Sequence, residues 1–181
     1  MKPREDYETR TKMAEMHDIY QERLRMAYEQ QNYVETVWLC YAIFEQRVNR
    51  LIAKYIDQCP KKERDNDKTA AITTRMNCIK RLVKEKYGAF DGFDISVIKR
   101  VEQWCRVRND LVHGLVELKH YKKYDKEFEA LAKAGVPLVQ ELYDACTELR
   151  NQWYCMDEES AEFPAEKCKC GKTKCMNPTF I

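Results

Sequence analysis

Apolar residues in this chain recur at steps of three and four over stretch after stretch, and that spacing leaves few alternatives to packed helices. Met13, Met16, Tyr20, Leu24 and Ala27 mark a first helix between Asp6 and Gln30. Val34, Trp38, Tyr41, Phe44, Val48, Leu51 and Tyr55 mark a second, and Ile72, Met76, Ile79, Val83 and Tyr87 a third. A fourth follows on Val97, Val101, Trp104, Cys105, Leu111 and Leu115, and a last on Leu138, Leu142, Cys146, Leu149 and Trp153. With only 5 Gly and 5 Pro in 181 residues the chain lacks the turn residues of an all-β fold. The expected architecture is all-α, an antiparallel helical bundle of four to five main helices over residues 1–154, followed by an irregular Cys- and Lys-rich tail over 155–181.

Boundary signals agree with that division. Asn32 with Glu35 three positions on resembles a capping box. The charged run from Asp57 to Lys68, with Pro60 inside it, predicts a loop. Gly88 is placed to end the third helix, Asp91-Gly92 to turn, and Asp94 or Ser96 to cap the fourth. His120 to Tyr124 predicts a connector, leading to a short helix that stops at Gly135, and Pro137 is expected to open the next.

A formal net charge of +2 gives no global pull toward nucleic acid, so a polyanion would need a local patch. Arg75, Lys80, Arg81, Lys84 and Lys86 share a face of the third helix, read either as a wet surface or as a stripe that tracks phosphates. No apolar run approaches the roughly 18 residues a membrane helix needs, and the charged first thirty residues do not read as a signal peptide. Nine cysteines cannot all pair internally. Cys40, Cys78, Cys105 and Cys146 lie within helical patterns, where a free thiol packs as a small hydrophobe, and a reducing cytoplasmic setting is expected.

The chemistry concentrates in Arg108-Asn109-Asp110-Leu111-Val112-His113, followed by Gly114. Arg108 is a permanent cation with a planar donor fork, and His113 can exchange a proton near neutral pH, a pairing suited to a phosphate. Arg10 and His17 repeat the spacing loosely, without a polar residue after the Arg. Five residues of ideal helix correspond to about 140° of rotation and 7.5 Å of rise, so the two side chains do not converge on one straight helix. The helix must deform, the Arg must reach around, or a second copy must complete the site. Glu45, flanked by Tyr41 and Val48 on the second helix, sets a carboxylate beside the buried stripe, either to position a cation such as Arg108 or to join the chemistry.

An Arg followed by a polar residue and, four further on, a His, on a helix preceded by an amphipathic helix with an acid in its middle (Asn32 to Ile52), resembles the HEPN superfamily over about residues 6–154. The resemblance implies a homodimeric helical domain acting as a metal-independent endoribonuclease, of the kind found in toxin and anti-phage defence systems. It casts Arg108, Asn109 and His113 as catalytic and Glu45 as supporting, with RNA as substrate and an antitoxin or other regulator as partner. Some members carry a Tyr two positions after the His that a partner enzyme modifies; Leu115 stands there, and neither Tyr121 nor Tyr124 has the matching spacing. A catalytically silent domain that binds nucleotide, RNA or protein as a dimeric adaptor is the alternative.

In the tail, Cys168, Cys170 and Cys175 surround Gly171, and Cys155 could supply a fourth ligand for a structural zinc; the other reading is a tail with exposed thiols. Trp38, Trp104 and Trp153 are expected in the core, and His17 and His120 at ordinary surface positions.

Overall fold

The computed structural model describes residues 7–53, 71–86, 88–116 and 121–157, and these are helical apart from short turns. The fold is an all-helical bundle. Among the described residues its helices are α1 (Tyr7–Glu29), α2 (Tyr33–Ala53), α3 (Ile72–Lys84), α4 (Ser96–Val116) and α5 (Tyr121–Asp157), with a 3-10 turn at Gly88–Phe90. No strand occurs among the described residues, and no helix there is long and apolar enough to cross a membrane. Of the expected tail over 155–181, residues 155–157 instead form the end of α5, and the rest lies outside the described residues, as do Tyr55 and the 57–68 loop.

The expected helix starts form by the expected chemistry. Asn32 Oδ1 accepts the Glu35 backbone N–H at 3.3 Å, and Asn32 Nδ2 donates to Glu35 Oε2 at 2.8 Å. Glu35 also accepts from Arg23 Nε at 2.7 Å, which ties α2 to α1 across a three-residue turn. At α4, Asp94 Oδ1 accepts the Ser96 N–H at 2.8 Å and Asp94 Oδ2 accepts the Ser96 hydroxyl at 2.7 Å. These hydrogen bonds hold the Asp94 carboxyl below its ordinary range.

The described residues divide into two compact units. The first takes in residues up to Gln46 together with Val101–Val139. Leu24 and Ala27 of α1, Val37, Cys40, Ile43 and Phe44 of α2, Trp104 and Cys105 of α4, and Phe128 and Ala132 of α5 supply its buried apolar residues. Trp104 is its pivot: the indole meets Phe44 edge-on at 5.1 Å and donates to the Leu131 carbonyl at 2.9 Å. The second unit comprises Arg47–Arg100 and residues from Gln140 on. Its core holds Val48, Leu51, Met76, Ile79, Leu82, Phe90, Ile98, Leu142 and Leu149, and an ion pair joins Arg100 to Glu141.

Three expectations about helix boundaries are corrected. The chain is not broken at Gly135 and Pro137; α5 runs unbroken through both. Gly135 is there for clearance, since a Cβ would lie 2.9 Å from Trp104 Nε1. Pro137 is exposed, and so is Lys133, whose carbonyl loses its donor to the proline but stays open to water. The expected connector at Tyr121–Tyr124 is instead the first turn of α5. Gly88 does not itself stop α3, which ends at Lys84 because Lys86 already adopts a left-handed φ of 51°.

The cysteine expectation holds for Cys40, Cys105 and Cys146, which are free, but not for Cys78, which is disulfide-bonded. Gly135→Ala separates packing from propensity. Helix propensity alone favours Ala by roughly 0.5–1 kcal/mol, whereas the clash with a hydrogen-bonded, buried indole costs about 1–3 kcal/mol. Chemical denaturation should show a net loss of stability, with altered Trp104 emission.

Candidate functional site

Arg108 lies on α4 among residues that alternate between core and surface, and its own side chain is only 9% exposed. Its guanidinium carbon sits 4.1 Å from the Trp38 ring centroid and 4.5 Å from that of Tyr41. These rings are three residues apart on α2 and so share one helical face. Arg108 Nη1 donates to Asn109 Oδ1 at 3.1 Å, and Nε is buried without a hydrogen-bond partner. No carboxylate pairs with Arg108 among the described residues. Each ring contact is worth roughly 0.5–2 kcal/mol, against a desolvation cost of several kcal/mol per buried ion. The group is therefore an oriented cation with donor capacity to spare.

Glu45 belongs to the same neighbourhood without bonding to Arg108. The charges of both act on Tyr41 and on Cys105. Burial is the main cause that raises the Tyr41 phenol above its ordinary value, with Glu45 adding to it and Arg108 opposing it. Asn109 and His113 are exposed on α4, so the buried Arg108 and the exposed His113 present to different surroundings along one helix. The helix does not end at Gly114; it continues to Val116. Gly114 instead admits Tyr124, whose hydroxyl donates to the Gly114 carbonyl at 2.7 Å and where a Cβ would lie 2.9 Å from that oxygen. This contact fixes the turn that carries His113.

Trp38 is corrected from core to surface: it is 49% exposed. Trp104 is buried as expected, and the Trp153 side chain lies outside the description. The aromatic slot around Arg108 was missed by sequence reasoning, although the three-residue spacing of Trp38 and Tyr41 is a signal that could have found it. Cys168, Cys170, Cys175 and His120 lie outside the described residues; Cys155 is on helical backbone with its side chain undescribed, as is His17. Among the described residues no group of three or more His, Cys, Asp or Glu is placed to hold a metal. An open groove of about 650 Å³ runs beside Ile19, Met26 and Glu35, but Arg108, Asn109, His113 and Glu45 do not line it.

The cations of α3 are in part engaged with their own helix: Lys80 Nζ donates to Asn77 Oδ1 at 3.3 Å, and Arg81 Nε lies 4.0 Å from Glu85 Oε1. No family model, curated protein or solved structure matches the chain.

The free thiols give a pH prediction. Burial pushes Cys40, Cys105 and Cys146 up to about 12 from the ordinary 9.0. Between those values the unfolded chain ionises while the folded chain keeps its protons. Stability should thus be fully present below about pH 9 and decline as pH rises toward 12. Denaturant titration across that range checks it, and alkylation of the buried Cys40 and Cys105 at pH 8 should proceed only as the protein unfolds.

Proposed function

We propose that this chain is a metal-independent endoribonuclease of the HEPN type, acting as a homodimer in a toxin or anti-phage defence role and restrained by an antitoxin or other regulatory protein. The observation that carries the reading is the buried Arg108 guanidinium, clamped by Trp38 and Tyr41 and paired with no carboxylate among the described residues. A phosphodiester supplies the missing negative charge and accepts paired hydrogen bonds from a guanidinium. His113 is exposed on the same helix and free to meet substrate.

In the proposed reaction the RNA 2′-oxygen attacks its adjacent phosphorus, and the bond from phosphorus to the 5′-oxygen breaks. His113 carries a proton from the 2′-hydroxyl or to the departing 5′-oxygen. Arg108 stabilises the charge that gathers on the non-bridging oxygens, and Asn109 orients the guanidinium through its hydrogen bond. Glu45 supports the site through its field on Tyr41 and Cys105. Because Arg108 and His113 point into different surroundings on one helix, the scheme uses two copies of the chain around one groove. The exposed Val34 and Trp38, four residues apart on α2, offer apolar surface for that pairing. A zinc held by Cys155, Cys168, Cys170 and Cys175 would be structural and outside the reaction.

The same divergence of Arg108 and His113 favours a second reading, a dimeric adaptor that binds nucleotide, RNA or a protein partner without cutting. Incubating wild type and His113→Ala with total RNA and a chelator, then mapping fragment ends, separates the two. The nuclease yields 2′,3′-cyclic phosphate and 5′-hydroxyl ends, and His113→Ala loses at least about 10²-fold in rate while still binding RNA. Binding by both proteins with cleavage by neither leaves the adaptor.

A further inference from the structure

The Arg108 guanidinium occupies only part of the indole on which it stacks. Trp38 is 49% exposed although the guanidinium carbon sits 4.1 Å from its ring centroid, so a ring face remains open to solvent. Steps of three residues turn α2 inward, from exposed Trp38 through half-buried Tyr41, which holds the same guanidinium at 4.5 Å, to buried Phe44. Trp38 is therefore the ring that meets whatever approaches the cation from solvent. Orienting Arg108 takes one face of an aromatic ring; it gives no reason for the rest of a large indole to stand in water.

We propose that the open face of Trp38 is a stacking platform for a nucleobase, and that it selects a purine at the nucleotide adjoining the phosphate held by Arg108. The proposal rests on the reading of Arg108 as the group that binds an RNA phosphate. Arg108 is buried, its Nε has no hydrogen-bond partner, and its fork has donors to offer a phosphate. A base hangs from the same sugar as its phosphate, so a strand anchored at the fork brings a base to the ring beside it. Stacking needs only a π-face and is worth roughly 1–3 kcal/mol per base. The fused rings of a purine overlap the fused rings of an indole over more area than a single pyrimidine ring does. A ring face carries no pattern of donors and acceptors, so adenine and guanine are taken alike. Val34, four residues earlier and 46% exposed, has no such face and serves only the pairing of two copies.

The test is binding of the full chain to abasic RNA hexamers, 2′-methylated to prevent cutting, that carry adenine, guanine, cytosine or no base at one central position. Wild type should bind the adenine and guanine hexamers about tenfold more tightly than the base-free one, with cytosine between. In Trp38→Leu the four should bind alike, and Trp38→Phe should give an intermediate ratio; if Trp38→Leu fails to fold, Trp38→Phe decides. The ratio between hexamers is the readout, because a loosened Arg108 weakens all four together. Equal binding of the four by wild type, or a purine preference retained in Trp38→Leu, overturns the proposal and leaves phosphate binding at Arg108 standing. A second copy covering the ring is the rival occupant, and base-independent binding by a dimer that Trp38→Leu dissociates would establish it instead. Failure of wild type to bind any hexamer overturns the proposal together with the RNA reading beneath it.

Discussion

A cation taken out of water and given aromatic faces, with no carboxylate paired to it among the described residues, is the constraint on which the functional reading rests. Stacking on Trp38 and Tyr41 lets Arg108 be buried and fixes the plane of its fork. It leaves the charge largely unneutralised and Nε unpartnered. Had an acid such as Glu45 closed on Arg108, the pair would have been self-sufficient and the site inert toward anions. Glu45 instead acts at a distance, through its field on Tyr41 and Cys105.

The slot exists because α4 is held against its neighbours by contacts that need small residues at particular places. Trp104, one turn before Arg108, packs on Phe44, hydrogen-bonds the Leu131 carbonyl and lies against Gly135. Tyr124 grips the Gly114 carbonyl just past His113. The two glycines therefore do not end helices. They permit close approach of an indole and a phenol that set the position of α4. The stretch from Arg108 to His113 is thus held at both ends by α5.

Helix existence and type were legible from the sequence because the apolar period is strong in every segment. Caps at Asn32 and Asp94 were legible because side-chain chemistry acts within a few residues. The errors at Gly135 and Pro137 share one cause, a residue whose role is set by a partner far along the chain. Gly135 and Pro137 carry the local signature of a break, and only the position of Trp104 and the exposed face at Lys133 explain why α5 continues. Trp38 fits an apolar stripe with Val34, Tyr41, Phe44 and Val48, but Val37 and Cys40 also lead into Phe44 and Val48 at helical spacing, and that run is the buried one. Periodicity cannot rank two stripes on one helix. Arg108 and His113 could be picked out by residue type and spacing, whereas the aromatic clamp could not, because it depends on which face of α2 meets α4.

The most direct measurement is titration of the protein with a short RNA whose 2′-hydroxyls are methylated to prevent cutting, followed by tryptophan emission, with Trp38→Phe used to assign the signal. Phosphate arriving at Arg108 must perturb the ring stacked on it. The account predicts a salt-sensitive change in Trp38 emission that disappears in Arg108→Gln while the fold is retained. Unchanged RNA affinity in Arg108→Gln would contradict it, because the buried guanidinium would then not be where the phosphate binds.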